Sequence, residues 1–342
     1  MPSSPLMTAE QPRVRQPRIG FIGTGWIGQH RMKAIAQEAA SEIVGIVEPN
    51  LAMANSAREL APSCQIKDSI DSLLDADLDG VVVATPSALH ALHAVCALKR
   101  GVSVFCQKPL ARNCQETKAV VDAARSADRL VRVDFSYRFL RGAMQIRELI
   151  QSKALGEIYV VELAFHNGYG PDKSWFYDPQ LSGGGCLMDL GIHLVDLVLW
   201  SFDFPSITSV SSQLFNAGKR LRTRTRDAVE DYGKASLELA NGVLVNLSCS
   251  WKAHSGCDSV IEFAVYGTQG GARLHNVAGS FFDFQTECFH GTRTEILSVP
   301  PENWGGRAAV NWLHQLSRSN RFEPQAQRFI DVAAALDRIY VP

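Results

Sequence analysis

Residues 18–29 read Arg-Ile-Gly-Phe-Ile-Gly-Thr-Gly-Trp-Ile-Gly-Gln, and this stretch decides the fold. Gly23, Gly25 and Gly28 form G-x-G-x-x-G between an apolar run (19–22) and a helix-like segment. That is the context the dinucleotide fingerprint requires. The first glycine permits the tight turn, the second lets the backbone approach a pyrophosphate, and the third lets the helix pack against the sheet. The helix N-terminus offers unpaired N–H groups and partial positive charge to the phosphates. Glycine-rich turns are common, so the next element carries the decision. Glu48 closes a second apolar run (43–47), about 20 residues past the third glycine, where an acid accepts the ribose hydroxyls of NAD. Glu48 would repel a 2′-phosphate, and neither Pro49 nor Asn50 supplies a cation for one. The expected cofactor is therefore NAD rather than NADP.

Working outward, the runs 19–22, 43–47, 81–84, 102–106 and 130–134 alternate with helix-like segments at 26–39, 50–61, 87–99 and 112–127. This alternation predicts βαβ units and a parallel, doubly wound sheet. Pro86 and Pro109 follow the carboxyl ends of two of these strands, where ligands bind in open α/β sheets. From about 140 the pattern changes. A helix at 143–151 and a strand at 158–165 lead to the loop Ser182-Gly183-Gly184-Gly185, then a helix at 186–200. Strand-like runs follow at 207–215, 232–239, 243–251, 260–267 and 272–275, with the hairpin signal Asn241-Gly242 between two of them. Leu237, Leu239, Val243, Val245 and Leu247 alternate with more polar residues, which predicts one face on helices and one free for solvent or a second subunit. An amphipathic helix is expected at 324–340. The predicted architecture is α/β: a tail over 1–17, a Rossmann dinucleotide-binding domain over 18–137, and an α+β domain over 138–342 with an open, mostly antiparallel sheet. No spare amphipathic helix is evident to cover both faces of that sheet, so the open face is expected to join copies of the chain into a homodimer or homotetramer.

The bulk numbers narrow the class. A chain of 342 residues with 46% hydrophobic content suits two domains with sizeable cores. The net charge is −1 and no dense Lys/Arg stripe occurs, which argues against nucleic acid. No apolar stretch is read as approaching a membrane span. Residues 1–17 lack the apolar core of a signal peptide. The eight cysteines include no C-x-x-C, so reduced thiols and a cytoplasmic location are expected.

Several residues are placed to carry chemistry. Asp189, His193 and Asp196 fall at i, i+4 and i+7 on one helical face. A carboxylate beside an imidazole fixes its tautomer and raises its pKa, which suits an acid/base. The same spacing reads equally as a buried polar cluster. An i,i+4 metal pair is a third reading, without a third ligand at a fitting spacing. Lys108 follows the 102–106 strand and is expected at the mouth of the sheet, or else as a solvated surface lysine. His30, His90 and His93 line the cleft or are structural. Trp175, Phe176 and Tyr177 read equally as a wall for a sugar ring or as core. The alternating Arg220, Arg222, Arg224 and Arg226 read as a solvated face.

Together these features resemble the glucose–fructose oxidoreductase / inositol dehydrogenase / rhizopine catabolism (Gfo/Idh/MocA) family over nearly the whole chain. The resemblance rests on the glycine fingerprint, Thr85-Pro86 with His90, Lys108-Pro109, Tyr137-Arg138-Phe139, and above all Gly183-Gly184-Gly185 followed by Asp189, Gly191, His193 and Asp196. It implies an NAD(H)-dependent oxidoreductase acting on a carbinol of a sugar, cyclitol or related small molecule. It implies Lys108, His193 and Asp189 as catalytic groups. The implied cofactor contacts are Gly23, Gly25, Trp26, Ile27, Gly28, Glu48, Thr85, Pro86, His90, Gln107 and Lys108. The implied substrate contacts are Lys108, Tyr137, Arg138, Trp175, Asp189 and His193, with no metal. The family usually carries Glu before the Lys-Pro pair and this chain carries Gln107, so substrates of Glu-containing members do not carry over. A non-catalytic NAD-binding regulator, and a lyase or glycosidase that cycles its NAD internally, are the other readings at this point.

Overall fold

A computed structural model describes residues 16–38, 40–221 and 227–341. Six short strands build the first sheet: β1 (Arg18–Ile22), β2 (Glu42–Val47), β3 (Gln65–Ile66), β4 (Gly80–Val83), β5 (Ser103–Cys106) and β6 (Val131–Val133). The connections are α1 (Trp26–Gln37), α2 (Leu51–Leu60), α3 (Ile70–Leu74), α4 (Ser87–Lys99) and α5 (Cys114–Ala127), in turn. All pairs are parallel, in the order β3-β2-β1-β4-β5-β6. β4 and β5 are buried along their whole length, as a parallel sheet covered on both faces requires. The strand order reverses between β1 and β4, which opens a crevice at their carboxyl ends. The sequence expectation lacked β3 and α3, because a two-residue edge strand carries no periodicity to detect.

The second part runs α6 (Arg141–Gln151), β7 (Ile158–Asn167), α7 (Pro179–Ser182), a π-helical turn (Leu187–Gly191) and α8 (Ile192–Ser201). It continues through β8 (Ile207–Asn216), β9 (Lys219–Leu221), β10 (Tyr232–Leu239), β11 (Leu244–Ser250), β12 (Ser259–Gly267), β13 (Gly271–Asn276), β14 (Phe284–His290) and β15 (Arg293–Ser298). It closes with α9 (Arg307–Arg318) and α10 (Gln327–Tyr340). The strands form one sheet, ordered β15-β14-β13-β12-β7-β11-β10-β8-β9. β7 and β11 are parallel and every other neighbouring pair is antiparallel. Along β10, Gly233, Ala235, Leu237 and Leu239 are buried while Tyr232, Lys234 and Glu238 are exposed, so one face packs and the other is open. α6, α8 and α10 pack against this sheet. Register carries Tyr232, Leu244, Tyr266 and Ile296 onto the open face, all exposed.

Two expectations are corrected here. The first concerns α9, an amphipathic helix that the sequence reading omitted. It does not cover the open face. Trp312, Leu313 and Leu316 join Phe21, Val82 and Phe105 in one cluster against the first sheet. Gly80 makes the room: a Cβ there would lie 2.7 Å from the Trp312 indole. The second concerns membrane spans. The helical run Pro179–Ser201 is 23 residues, long and apolar enough by composition to cross a membrane. Of its apolar window 89% is buried within the protein, so it is a core helix. All eight cysteines are free thiols, and Cys186 and Cys249 meet in the core with sulfurs 3.8 Å apart.

Candidate active site

The glycine turn is built as its chemistry demands. Gly23 has φ +87°, and a Cβ on it would lie 2.6 Å from the Ala84 carbonyl. A Cβ on Gly28 would lie 2.5 Å from the Gly23 carbonyl. A Cβ on Gly25 would meet nothing within 4 Å, so the turn is open on the side a pyrophosphate would occupy. Gly25 is also the N-cap of α1 and supplies no side-chain cap, leaving the first-turn N–H groups to an anion. Trp26 is 70% exposed at the head of α1, and Ile27 is half-buried beside it. Glu48 is held at the crevice by two backbone donors: Thr24 N lies 2.7 Å from Oε2 and Asn50 N 3.0 Å from Oε1. The carboxylate keeps free lone pairs for further donors. An open cradle beside a fixed carboxylate fits a dinucleotide with free ribose hydroxyls.

Lys108 leaves β5 and crosses to the π-helical turn. Its Nζ donates to the Asp189 backbone carbonyl and to Asp189 Oδ1, each at 2.7 Å. An ammonium has three donors, so one remains for a substrate oxygen. The other carboxylate oxygen, Oδ2, accepts from Trp251 Nε1 at 3.1 Å. The expected partnership of Asp189 with His193 is corrected: no hydrogen bond joins them among the described residues. The π turn changes the register between them, and π turns concentrate at functional sites. His193 is buried, packed on the Tyr137 ring at 4.9 Å between centroids, and its Nδ1 has no partner among the described residues. Burial, then the charges of Lys108 and Arg31, hold its pKa well below the ordinary value of 6.5. The sequence reading expected it raised. Asp196 departs from the cluster altogether: it takes Arg138 in a bidentate pair and is buried. Arg138 is thereby engaged away from Lys108, with its guanidinium over Phe135 and Phe204.

Several of the expected cofactor contacts also hold the local structure together. His90 is 1% exposed, with the Pro109 and Thr85 carbonyls each 2.6 Å from its ring nitrogens, so it braces the Lys108 loop against the end of β4. Thr85 and Pro86 form that strand end, with Thr85 Oγ1 3.3 Å from His93 Nδ1. Gln107 is buried and its amide donates to Asp134 Oδ2, which also pairs with Arg31 Nε at 2.5 Å. A buried carboxylate, Asp134, therefore stands between the Gln107 amide and the Arg31 guanidinium. His30 lies alongside, its Nδ1 2.8 Å from Arg31.

The glycine run owes its form to residues far away in sequence. A Cβ on Gly185 would lie 1.8 Å from the Glu230 carbonyl, and one on Gly184 would lie 2.0 Å from the Tyr340 hydroxyl. The buried Glu230 Oε1 accepts from Gly185 N, Leu187 N and the Tyr340 hydroxyl at 2.8–3.0 Å. Sequence reasoning found neither Glu230 nor Tyr340, nor Trp251, Arg31 and Asp134, because nothing local marks them. Trp175 stacks on Phe176 at 3.8 Å, and Phe176 and Tyr177 pack edge-on against Trp251, which puts that aromatic stretch beside Asp189. Tyr137 is buried, and its hydroxyl is held un-ionised by desolvation and by the Asp189 charge. Arg220 is exposed on β9, and Arg222, Arg224 and Arg226 lie outside the described residues. Among the described residues no group of three or more His, Cys, Asp or Glu gathers as a metal site.

Comparison with known proteins agrees with this fold. Residues 17–135 match the oxidoreductase family with an NAD-binding Rossmann fold, and residues 143–273 match the GFO/IDH/MocA C-terminal domain. The inositol 2-dehydrogenase of Leifsonia xyli subsp. xyli is 30% identical over 265 residues, which cover 77% of this chain and 74% of that one. The D-glucoside 3-dehydrogenase of Escherichia coli K12 is 27% identical over 271 residues, 75% and 76% of the two chains. Levoglucosan dehydrogenase, solved with NADH and levoglucosan, shares the fold with a TM-score of 0.81 at 22% identity, covering 95% of this chain and 96% of that one. The first domain is thus an NAD-binding Rossmann domain, and with both halves matched in order the chain belongs to the Gfo/Idh/MocA oxidoreductase family.

Proposed function

We propose that this chain is an NAD-dependent dehydrogenase that oxidises a secondary alcohol on a sugar, cyclitol or related polyhydroxylated ring. The observation that carries the reading is the Lys108–Asp189 pair, 2.7 Å long, formed across the crevice at the start of the helix that bears His193. NAD⁺, when bound, supplies the hydride acceptor. Lys108 uses its remaining N–H to hold and polarise the substrate oxygen. His193 is neutral at pH 7 because its pKa is depressed, so it is ready to take the hydroxyl proton. A neutral imidazole is the form that can accept the hydroxyl proton in the oxidative direction. Trp175 and its aromatic neighbours offer a face for the apolar side of a sugar ring. The test is an absorbance screen at the NADH band with sugars, cyclitols and sugar acids. Product without net NADH would replace the dehydrogenase with an internally cycling lyase or glycosidase. NAD binding with no turnover on any member of the panel would favour the regulator.

Glu48 sets the cofactor preference in this reading. NAD is expected to bind more tightly than NADP, measured by titrating both. Glu48→Ser with Asn50→Arg is expected to move preference towards NADP. Asn50 also caps α2 through Met53 N, so the double variant loses roughly 1 kcal/mol of stability with that cap. Equal or tighter NADP binding by the wild type would end the argument.

The open sheet face is the expected contact between copies of the chain. Exposed Tyr232, Leu244, Tyr266 and Ile296 share it, and α9, the helix that was free to cover it, is spent on the first sheet. Sedimentation is expected to give a species larger than the 37.5 kDa monomer at micromolar concentration. Tyr266→Lys with Ile296→Lys is expected to shift that species towards monomer. A wild type that sediments as a monomer refutes the assignment.

A further inference from the structure

We propose that Trp251 is a positioning residue for the reaction: its indole N–H fixes the Asp189 carboxylate so that one oxygen faces Lys108, and its ring ties that carboxylate to the aromatic wall at 174–177. The inference builds on the role proposed for Lys108, but the bond itself is testable without any turnover.

The geometry leaves Trp251 little freedom. It follows β11 and is 3% exposed. Its backbone N–H donates to the Asp231 carbonyl at 2.7 Å, which anchors the main chain. Phe176 meets its ring edge-on at 6.2 Å and Tyr177 at 5.5 Å. An indole has one donor and no acceptor, so the contact with Asp189 Oδ2 has only one possible sense. That contact, at 3.1 Å, and the Lys108 contact on Oδ1, at 2.7 Å, occupy the two oxygens separately. The carboxylate plane is thereby set from both ends. Without the indole, Oδ2 would be free to turn to water, because the Asp189 side chain is partly exposed. Lys108 would then keep only the Asp189 backbone carbonyl as a fixed acceptor and lose the second bond that aims its free N–H. The ring of Trp251 belongs to the wall while its N–H belongs to the acid, so a displacement of residues 174–177 is transmitted to Lys108 through one rigid side chain.

Trp251→Phe removes the N–H and keeps a planar ring against Phe176 and Tyr177. A hydrogen bond to a charged group is the strong kind, and its loss is expected to slow single-turnover hydride transfer roughly tenfold, with NAD affinity unchanged. The discriminating measurement is the cycle with Asp189→Ala. If Trp251 acts through Asp189, Trp251→Phe has no further effect on the rate in the Asp189→Ala background. A role in packing alone would make the two effects multiply. Independently, the indole ¹⁵N–¹H resonance of Trp251 in the substrate-free protein is expected to move in Asp189→Ala and stay put in His193→Ala. That readout stands even if the substrate class is wrong. A wild-type rate for Trp251→Phe, multiplicative effects in the cycle, or an indole resonance indifferent to Asp189 would each overturn the proposal.

Discussion

His193→Ala and Lys108→Ala are each expected to slow hydride transfer by about 10²–10⁴-fold, the range a general acid/base contributes, with NAD affinity nearly unchanged. In the proposed mechanism both side chains serve the substrate oxygen, whereas the glycine turn and Glu48 would hold the dinucleotide. The pH dependence separates their roles. The pKa of His193 lies well below 6.5, so its protonation is expected to set an acid limb below that value, with a flat rate through neutrality. His193→Ala removes the limb along with the rate. Stopped-flow measurement under single turnover is needed, so that slow product release does not mask the chemistry. If either alanine variant transfers hydride at the wild-type rate, that residue is not acting on the oxygen and the shared-oxygen mechanism falls. Asp189 enters this scheme through Lys108, since its carboxylate is bonded to the ammonium and not to the imidazole.

Gln107→Glu is expected to destabilise the protein by an amount that grows with pH. In the wild type the Gln107 amide donates to Asp134, whose side chain is fully buried and paired with Arg31. A glutamate would set a second carboxylate against the first, with one guanidinium to offset two charges. The pair would then retain one proton above the ordinary carboxylate range. A folded-state pKa raised above its unfolded value gives stability that is present at low pH and lost as pH rises through the raised value. The variant should therefore approach wild-type stability near about pH 4 and fall below it by on the order of 2–3 kcal/mol at about pH 8, at about 1.4 kcal/mol per pKa unit. Urea unfolding at several pH values reads this directly. The swap Gln107→Glu with Asp134→Asn restores one carboxylate, one amide and one guanidinium, and is expected to recover most of the loss. A single variant as stable as wild type at about pH 8, or a swap no better than the single, would show that Asp134 does not hold the buried charge beside position 107.

This substitution also marks where sequence and structure divide the explanation. A neutral residue before Lys108-Pro109 is visible in the sequence, but its buried carboxylate partner is not. Arg31, Gln107 and Asp134 come from α1, the end of β5 and the end of β6, and they meet only because a parallel sheet gathers strand ends.

The sequence by itself determined the main strands of the first sheet, the glycine turn with Glu48 and the hairpin at Asn241-Gly242, and the family resemblance singled out Lys108, Asp189 and His193. Each of the first three is a local pattern: a continuous apolar run, a glycine where only glycine fits, or a turn dipeptide between alternating strands. Only the tertiary structure decided who pairs with whom. It gave Asp189 to Lys108 and Trp251, gave Asp196 to Arg138, and left His193 on Tyr137 with a depressed pKa where the i+4 spacing implied a raised one. It gave His90 and Gln107 bracing hydrogen bonds, and it sent α9 back to the first sheet. The physical reason is the same in each case. Periodicity fixes which face of an element is apolar, but hydrogen-bond partners and burial depend on residues distant in sequence, 81 positions for Lys108 and Asp189 and 62 for Asp189 and Trp251, and a single π turn is enough to change the register of one helical face.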